Sequence, residues 1–355
     1  MKSIFVLTSR FRRAVFSEKG RPALPTIKRK KFSVVVLTSV IILFCFGTNS
    51  FLPINNAYCG NLIQDNASWE GIASCDGSGL AIYRVKSNPL VYVVDFPDLT
   101  AQAKAMNRLA FFVENKDNKG LILDARQMQD YYDSQRISAD QYYHGHDYRA
   151  VDLARFFNAV AGSGKELNPE EVALLHILKQ NDVLHHNGIE YEPVQPYKVL
   201  ISISRSKEDT DHHLSCELRR LTLRHEMSHA EYFTNNKYRQ YCRSFWMRLK
   251  IEEQEVFRKE LSLMKYDSQN DDLIINEMQA FLWEPQRGGF IDFSLNKEGS
   301  SLAGLRQLFL KGIDESSPRI TTFFDNPFTR DVIPITKSNI KYQKEETSTF
   351  LGDPS

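Results

Sequence analysis

The strongest chemical signal in the sequence is the segment RHEMSH, which contains His225, Glu226 and His229. The surrounding residues, 214–233, predict a helix, and positions four apart on a helix lie one turn apart on the same face. Both imidazoles can therefore bind one metal ion. Glu226 lies to the side of that face, where its carboxylate can hydrogen-bond a metal-bound water, accept its proton and pass it to a leaving group. We predict His225 and His229 as metal ligands and Glu226 as the general base.

The flanking sequence predicts the elements that hold this helix in place. Residues 197–204 (YKVLISIS) predict a strand just before it. Earlier residues predict strands at 80–83, 90–94 and 121–124 and helices at 98–114, 150–161 and 169–178, the last capped by Asn168. Later residues predict helices at 238–264 and 272–283. Because strands come early and helices late, the pattern predicts an α+β fold.

A strand, a helix that carries H-E-x-x-H and a further helix, in that order, resemble the zincin metallopeptidases. The resemblance implies a zinc site, peptide-bond hydrolysis and a substrate peptide paired along the strand at 197–204 as the edge of a sheet. The metzincin pattern is excluded, because Tyr232 and Asn235 stand where it requires Gly and His. The gluzincin pattern takes a Glu from a later helix, often within N-E-x-x-A, and residues 276–280 are NEMQA.

This resemblance makes Glu277 the predicted third ligand, so that His225, His229 and Glu277 hold one Zn²⁺ per chain and leave one position open. The helix around Glu277 is apolar, and an unpaired carboxylate is costly to bury there. Alternatives stay open at this point. Glu277 could instead pair with Arg224, and three other acids are rival ligands: Glu231, Asp271 and Asp272.

The N-terminal residues predict export. Residues 1–31 carry ten Lys or Arg and one acid, Glu18, and the next residues, 32–46, are without charge. Basic residues before an apolar run, with none directly after it, orient the N-terminus towards the cytoplasm and the remainder towards the periplasm or the exterior. Residues 32–48 are then either a signal peptide or, as we favour, a signal anchor that tethers the chain to the membrane.

The predicted organisation has six parts, namely a basic cytoplasmic region, the signal segment, a linker, an N-terminal α/β lobe, a zincin-like catalytic lobe and a loose tail. Their bounds are 1–31, 32–48, 49–57, 58–196, 197–340 and 341–355. Four cysteines follow the apolar segment, and an even number in an oxidising compartment predicts disulfides. Of three connectivities, proximity in sequence favours Cys59–Cys75 with Cys216–Cys242.

Weaker signals come from tyrosines and from other histidines. A tyrosine that stabilises an oxyanion could be Tyr232, Tyr238 or Tyr241. Residues 142–147 (YYHGHD) could line a substrate cleft, although their spacing favours a surface turn. Residues 185–186 and 211–213, which contain the other paired histidines, are predicted to lie in loops.

Composition limits the class of partner. The chain has 45 Lys and Arg against 44 Asp and Glu, and this net charge of +1 provides no basic excess for binding nucleic acid. The sequence therefore predicts an exported, membrane-tethered zinc metallopeptidase that acts on a peptide or protein substrate. One alternative is a non-catalytic, zincin-like binding protein of the cell envelope. Another is a purely structural metal with four protein ligands.

Overall fold

The computed structural model describes residues 64–75, 79–206, 212–283, 294–297 and 299–313. The predicted cytoplasmic region, signal segment, linker and tail lie outside these residues. Among the described helices, none combines the length and the apolar composition that crossing a membrane requires.

The described residues form a mixed α+β structure. The strands are β1 Gln64–Ala67, β2 Ala81–Val85, β3 Val91–Phe96, β4 Gly145–Arg149, β5 Leu184–His186, β6 Tyr191–Pro193 and β7 Val199–Ser204. The helices are α1 Trp69–Ala73, α2 Leu99–Val113, α3 Ala125–Gln135, α4 Ala150–Ser163, α5 Pro169–Gln180, α6 Cys216–Thr234, α7 Asn236–Arg248, α8 Ile251–Leu263, α9 Asp271–Trp283 and α10 Leu302–Lys311.

Five of the described strands form one sheet in the order β1-β2-β3-β7-β4. Strand β7 is parallel to β3 and antiparallel to β4, so it lies inside the sheet. The prediction that the strand before the motif helix is the sheet edge is therefore wrong, because the edge strands of the described sheet are β1 and β4. All six residues of β7 are buried. A strand of small and apolar residues is suited to this central position, where helices cover both faces.

The two faces of the sheet are covered by different helices. Alternate residues of a strand point to opposite faces, and Val93 and Ile201 share one hydrophobic cluster with residues of α6 and α9. Val94 and Leu200 share a second cluster with residues of α2, α4 and α5. The sheet also crosses the predicted lobe boundary at residue 196. Strand β7 lies after this boundary, and its two neighbours, β3 and β4, lie before it.

Local capping explains where several predicted helices begin. Helix α2 begins after Asp98, whose carboxylate accepts a hydrogen bond from the backbone N–H of Ala101 at 2.7 Å. The predicted cap of α5 is confirmed, because Asn168 accepts from the backbone N–H of Glu171 at 2.8 Å. These bonds satisfy backbone donors that a helix leaves without an internal partner.

Two predicted elements are wrong. Residues 121–124 are not a strand, because Asp124 caps α3 and its side chain accepts a hydrogen bond from the backbone N–H of Gln127 at 2.9 Å. The single helix predicted at 238–264 is two helices, α7 and α8. The second begins after Lys250, whose backbone N–H donates to the Glu253 carboxylate at 2.9 Å.

The disulfide connectivity also differs from the prediction. Cys75 bonds Cys216, across 141 positions in sequence and with 5.5 Å between their Cα atoms. Cys242 is a buried thiol in the hydrophobic core, and burial raises its pKa. Cys59 lies outside the described residues. Proximity in sequence predicted the wrong cysteine pairs, because folding brings the segment after α1 against the first turn of α6.

Candidate metal centre

Helix α6 carries the H-E-x-x-H residues and is fixed firmly to the sheet. Its residue Arg219 is fully buried and binds both carboxylate oxygens of Asp95 on β3, at 2.7 and 2.8 Å. The same guanidinium donates to the backbone carbonyls of Ser204 on β7 and of Ile72 on α1. A bidentate arginine with these extra acceptors holds a helix in a defined orientation. Together with the Cys75–Cys216 disulfide, it fixes the N-terminal half of α6.

The side chains of His225, His229 and Glu277 converge. The two imidazole rings have centroids 4.6 Å apart, and Nε2 of His225 and of His229 lie 3.7 and 3.8 Å from the Glu277 carboxylate oxygens. These separations are too long for hydrogen bonds. They suit atoms that bind one ion from different sides, each about 2.0–2.2 Å from it. One atom from each of the three residues lies within 4.8 Å of the others.

Glu277 reaches this position because α9 is locked against α6 and α7. Gln279 follows Glu277 by two residues on α9. It donates to the Ser228 hydroxyl of α6 at 3.2 Å and accepts from the Tyr238 hydroxyl of α7 at 2.6 Å. Trp283 donates to the same Tyr238 oxygen at 2.7 Å. These buried bonds set the rotation of α9, which turns Glu277 towards the two histidines.

The rival acids are engaged elsewhere. Glu231 accepts hydrogen bonds from Asn88 and Asn235, Asp271 pairs with Arg258, and Asp272 binds Tyr232 and Arg243. The alternative partner for Glu277, Arg224, has its guanidinium over the ring of Trp283 at 5.8 Å. The structure thus brings Glu277, and none of the three rivals, to the histidine pair.

The donor set fits a zinc ion. Oxygen Oε2 of Glu277 is buried and accepts no hydrogen bond from the described residues, an arrangement that is costly unless a cation binds there. The Glu277 side chain is 5% exposed and that of His229 only 1%, whereas His225 is 14% exposed and lies nearer to solvent. Two imidazoles and one carboxylate are the protein ligands of many catalytic zinc sites.

Glu226 lies beside the centre and packs directly against strand β4. A Cβ atom on Gly145 would lie 2.3 Å from Oε1 of Glu226 and 2.7 Å from Cγ2 of Thr222, both on α6. Only a residue without a side chain permits this approach of strand to helix. Glycine at this position therefore creates the space that the Glu226 carboxylate occupies.

Asp147 is a residue of the centre that the sequence analysis did not identify. Its carboxylate, that of Glu226 and the ring of His229 also have one atom each within 4.8 Å of one another. The interpretation of residues 142–147 as a surface turn is wrong, because Gly145 and Asp147 lie on β4 and pair with Ile203 and Ile201 of β7. Directly paired residues share a face of the sheet, and this face packs against α6.

Several carboxylates near the centre perturb one another in the metal-free protein. Burial first, and then the nearby charge of Glu277, raise the pKa of Glu114 to about 8, although a hydrogen bond from the Tyr148 hydroxyl at 3.0 Å opposes the shift. The pKa of Asp147 is raised well above its usual range by burial and then by Glu226. Desolvated groups of like charge favour the protonated form or a bound cation. The electrostatics therefore favour a cation at this position.

The three tyrosines proposed from sequence to stabilise an oxyanion have hydroxyls bound to residues outside the centre. The hydroxyls of Tyr232, Tyr238 and Tyr241 donate to Asp272, Gln279 and the backbone carbonyl of Phe309. Tyr266 is a different tyrosine that senses the centre electrostatically, since burial and then the charge of Glu277 raise its pKa well above its usual range. No sequence pattern marks this tyrosine.

The other histidine groups lie away from the centre. His185 and His186 lie in β5 rather than in a loop, and His185 pairs with Glu192 at 3.3 Å. Nδ1 of His212 lies 2.5 Å from an Asp140 oxygen. Asp211 lies outside the described residues.

Compared with protein-family models, with curated proteins and with solved structures, the chain matches none of them. The geometry of the centre is thus the basis for any statement about function.

Proposed function

We propose that the protein is a zinc-dependent metallopeptidase of the zincin type, with a gluzincin-like ligand set. The observation that carries this proposal is the convergence of His225, His229 and Glu277 from two helices, with Glu226 directly beside them. Peptide hydrolysis is preferred to other hydrolytic reactions because of the resemblance noted from the sequence, and resemblance of fold alone does not establish an activity.

The residues of the centre would have two roles in hydrolysis, binding zinc and transferring a proton. A zinc ion held by His225, His229 and Glu277 would lower the pKa of a bound water and polarise the scissile carbonyl. Glu226 would accept the proton of that water and deliver it to the leaving amine. Its position against Gly145 holds the carboxylate in place before the substrate arrives, and such positioning contributes strongly to rate.

Strand β4 would bind the substrate. As an edge strand of the described sheet, it has one side that does not pair with β7, and an extended peptide can add to such an edge through backbone hydrogen bonds. Gly145 and Asp147 on this strand lie next to Glu226, so a peptide paired with β4 would pass the proposed zinc ion. This assigns to β4 the role that the sequence analysis gave to the strand at 197–204.

We further propose that the catalytic part of the protein works on the exported side of the membrane, tethered by residues 32–48. The disulfide between Cys75 and Cys216 supports this location, because such bonds persist in oxidising compartments. The basic residues before the apolar segment support the same orientation.

Metal content and peptide hydrolysis, measured on the full chain in detergent, test the proposal. We expect one zinc per chain in the wild type, loss of that zinc in His225→Ala and Glu277→Ala, and cleavage of a peptide library. Glu226→Gln should keep the zinc and lose hydrolysis by a factor of about 10³ or more. Asp271→Asn is the matched control, because this acid pairs with Arg258 outside the centre.

Three results would contradict the proposal. Full activity in Glu226→Gln would remove the assigned general base. Zinc bound by the wild type without any hydrolysis across the library would favour the non-catalytic binding protein, and an ion with four protein ligands and no exchangeable water would favour a structural metal.

A further inference from the structure

Two segments from opposite faces of the main sheet contact each other. Residues of α2 belong to the hydrophobic cluster on one face, and residues of α8 and α9 belong to the cluster on the other. Residues 115–119, which follow α2, nevertheless contact residues 262–267, which begin in the last turn of α8. Elements on opposite faces of a sheet can meet only beyond one of its edges or ends. We call this contact the bridge.

Hydrogen bonds and ion pairs hold the bridge together. The backbone N–H of Lys116 donates to the backbone carbonyl of Lys265 at 3.1 Å, and its ammonium group donates to the carbonyl of Ser262 at 3.0 Å. Two ion pairs add to these bonds, Lys265–Asp117 at 3.1 Å and Lys119–Asp267 at 3.6 Å. The four paired side chains are 24–45% exposed, so each ion pair contributes little stability and is screened by salt. The bridge can therefore open without loss of the hydrophobic core.

The bridge lies beside strand β4 and the metal centre. Glu114, directly before residues 115–119, accepts a hydrogen bond from the hydroxyl of Tyr148 on β4 at 3.0 Å. Tyr266, within residues 262–267, packs against the cluster that contains residues of α6 and α9. After burial, the charge of Glu277 is the largest cause that raises the pKa of both Glu114 and Tyr266. Both sides of the bridge thus start from a side chain that is close to the zinc ligands.

The backbone of β4 faces this same region. The N–H of Ala150 donates to the carbonyl of Lys198 at 2.8 Å. Because the bonds of an antiparallel pair alternate along the strand, the backbone groups of Asp147 and Arg149 point away from β7. A peptide paired with these groups would lie between β4 and the bridge.

We propose that the bridge closes the free edge of β4 into a channel, so that the enzyme takes flexible linear chains threaded from an end. This inference rests on the proposed function and narrows its substrate class. A closed ring has no end to thread, and a folded domain is too wide to enter. Both are excluded until the ion pairs of the bridge open.

Cleavage of one peptide sequence in two forms tests the proposal on the full chain in detergent. The linear peptide that the wild type cuts best in the library is compared with its head-to-tail cyclic form, made long enough to present the same segment extended. We expect the wild type to cut the linear peptide and to cut the cyclic form far more slowly. Added salt should raise the rate for the cyclic form alone, because it screens the exposed ion pairs.

A double variant opens the bridge. Lys119→Glu with Lys265→Glu places like charges across both ion pairs. Loss of two exposed pairs favours opening by about 2–30-fold, so cleavage of the cyclic form should rise by this factor. Zinc content and cleavage of the linear peptide should stay unchanged. The matched control, Lys104→Glu with Arg126→Glu, reverses two exposed ion pairs outside the bridge and should behave as the wild type.

The outcomes separate this inference from the proposed function. Equal cleavage of the two forms by the wild type would overturn the inference and leave the proposed function intact. An unchanged ratio of the two rates in a folded double variant that still binds zinc would do the same. A wild type that binds zinc but cuts no linear peptide refutes the proposed function, and the inference with it.

Discussion

Replacing Gly145 by alanine tests the contact between strand β4 and Glu226. The added Cβ would lie 2.3 Å from the Glu226 carboxylate oxygen and 2.7 Å from Cγ2 of Thr222. The first distance is short of an ordinary van der Waals contact by about 1 Å. Either the carboxylate turns away or the strand moves from the helix by a comparable amount. Both adjustments displace the proposed general base from its place beside the zinc ligands.

The expected consequence is a large loss of activity with a modest loss of stability. A displacement of about 1 Å at a reacting group can cost about 100-fold in rate, which corresponds to roughly 2.7 kcal/mol. Overpacking of this kind lowers the free energy of unfolding by about 1–3 kcal/mol. Zinc should still bind, because His225, His229 and Glu277 come from helices α6 and α9 and not from β4.

Peptide cleavage, zinc content and urea unfolding are to be measured on Gly145→Ala and on the matched control Gly162→Ala. A Cβ at Gly162, near the end of α4, meets nothing within 4 Å. Alanine there should leave activity unchanged and stabilise the helix by about 0.5–1 kcal/mol. If Gly145→Ala cleaves peptides at the wild-type rate with wild-type stability, the argument that the missing side chain positions Glu226 is refuted.

Two further predictions concern stability. The Cys75–Cys216 disulfide closes a loop of 141 positions, and the chain-entropy model assigns a stabilisation of about 5 kcal/mol to such a loop. Reduction should therefore lower the free energy of unfolding in urea by most of this amount. The stability of Cys216→Ser should not change when reductant is added. The pKa of Glu114 is about 8 in the folded, metal-free protein against an ordinary 4.5, so the unfolded chain releases this proton at lower pH. The stability contributed by protonated Glu114 is complete below pH about 4.5 and is lost as pH rises to about 8, by roughly 5 kcal/mol in total. Glu114→Gln should flatten this dependence in urea unfolding of the metal-free protein, and an unchanged slope would contradict the assignment.

Local features of the chain were predictable from the sequence. The H-E-x-x-H spacing brings two imidazoles to one face of any helix, whatever surrounds it. The caps at Asp98 and Asn168 are bonds within a few residues, so their sequence signature suffices. The order of strands and helices gave the mixed α+β class for the same reason, because periodicity and capping act over short distances.

The choice among distant residues required the tertiary structure. Glu277 and its rivals Asp271 and Asp272 lie on the same helix, and only the rotation of α9, set by Gln279, turns Glu277 to the histidines. The disulfide pairing was equally inaccessible, since Cys75 and Cys216 meet through the packing of α1 against α6. Proximity in sequence carries no information about such contacts.

Strand β4 shows most clearly which features were predictable from the sequence and which depend on the tertiary structure. Residues 142–147 (YYHGHD) have no signature of a metal centre, and their spacing favoured a surface turn. Antiparallel pairing with β7 places residues 145–149 at one edge of the described sheet, puts Gly145 against Glu226 and brings Asp147 beside His229. The sequence determined the relative placement of the two imidazoles and of Glu226, the proposed general base, because their geometry is that of a single helix. The fold determined which carboxylates join them, because that depends on how strands and helices distant in sequence pack together.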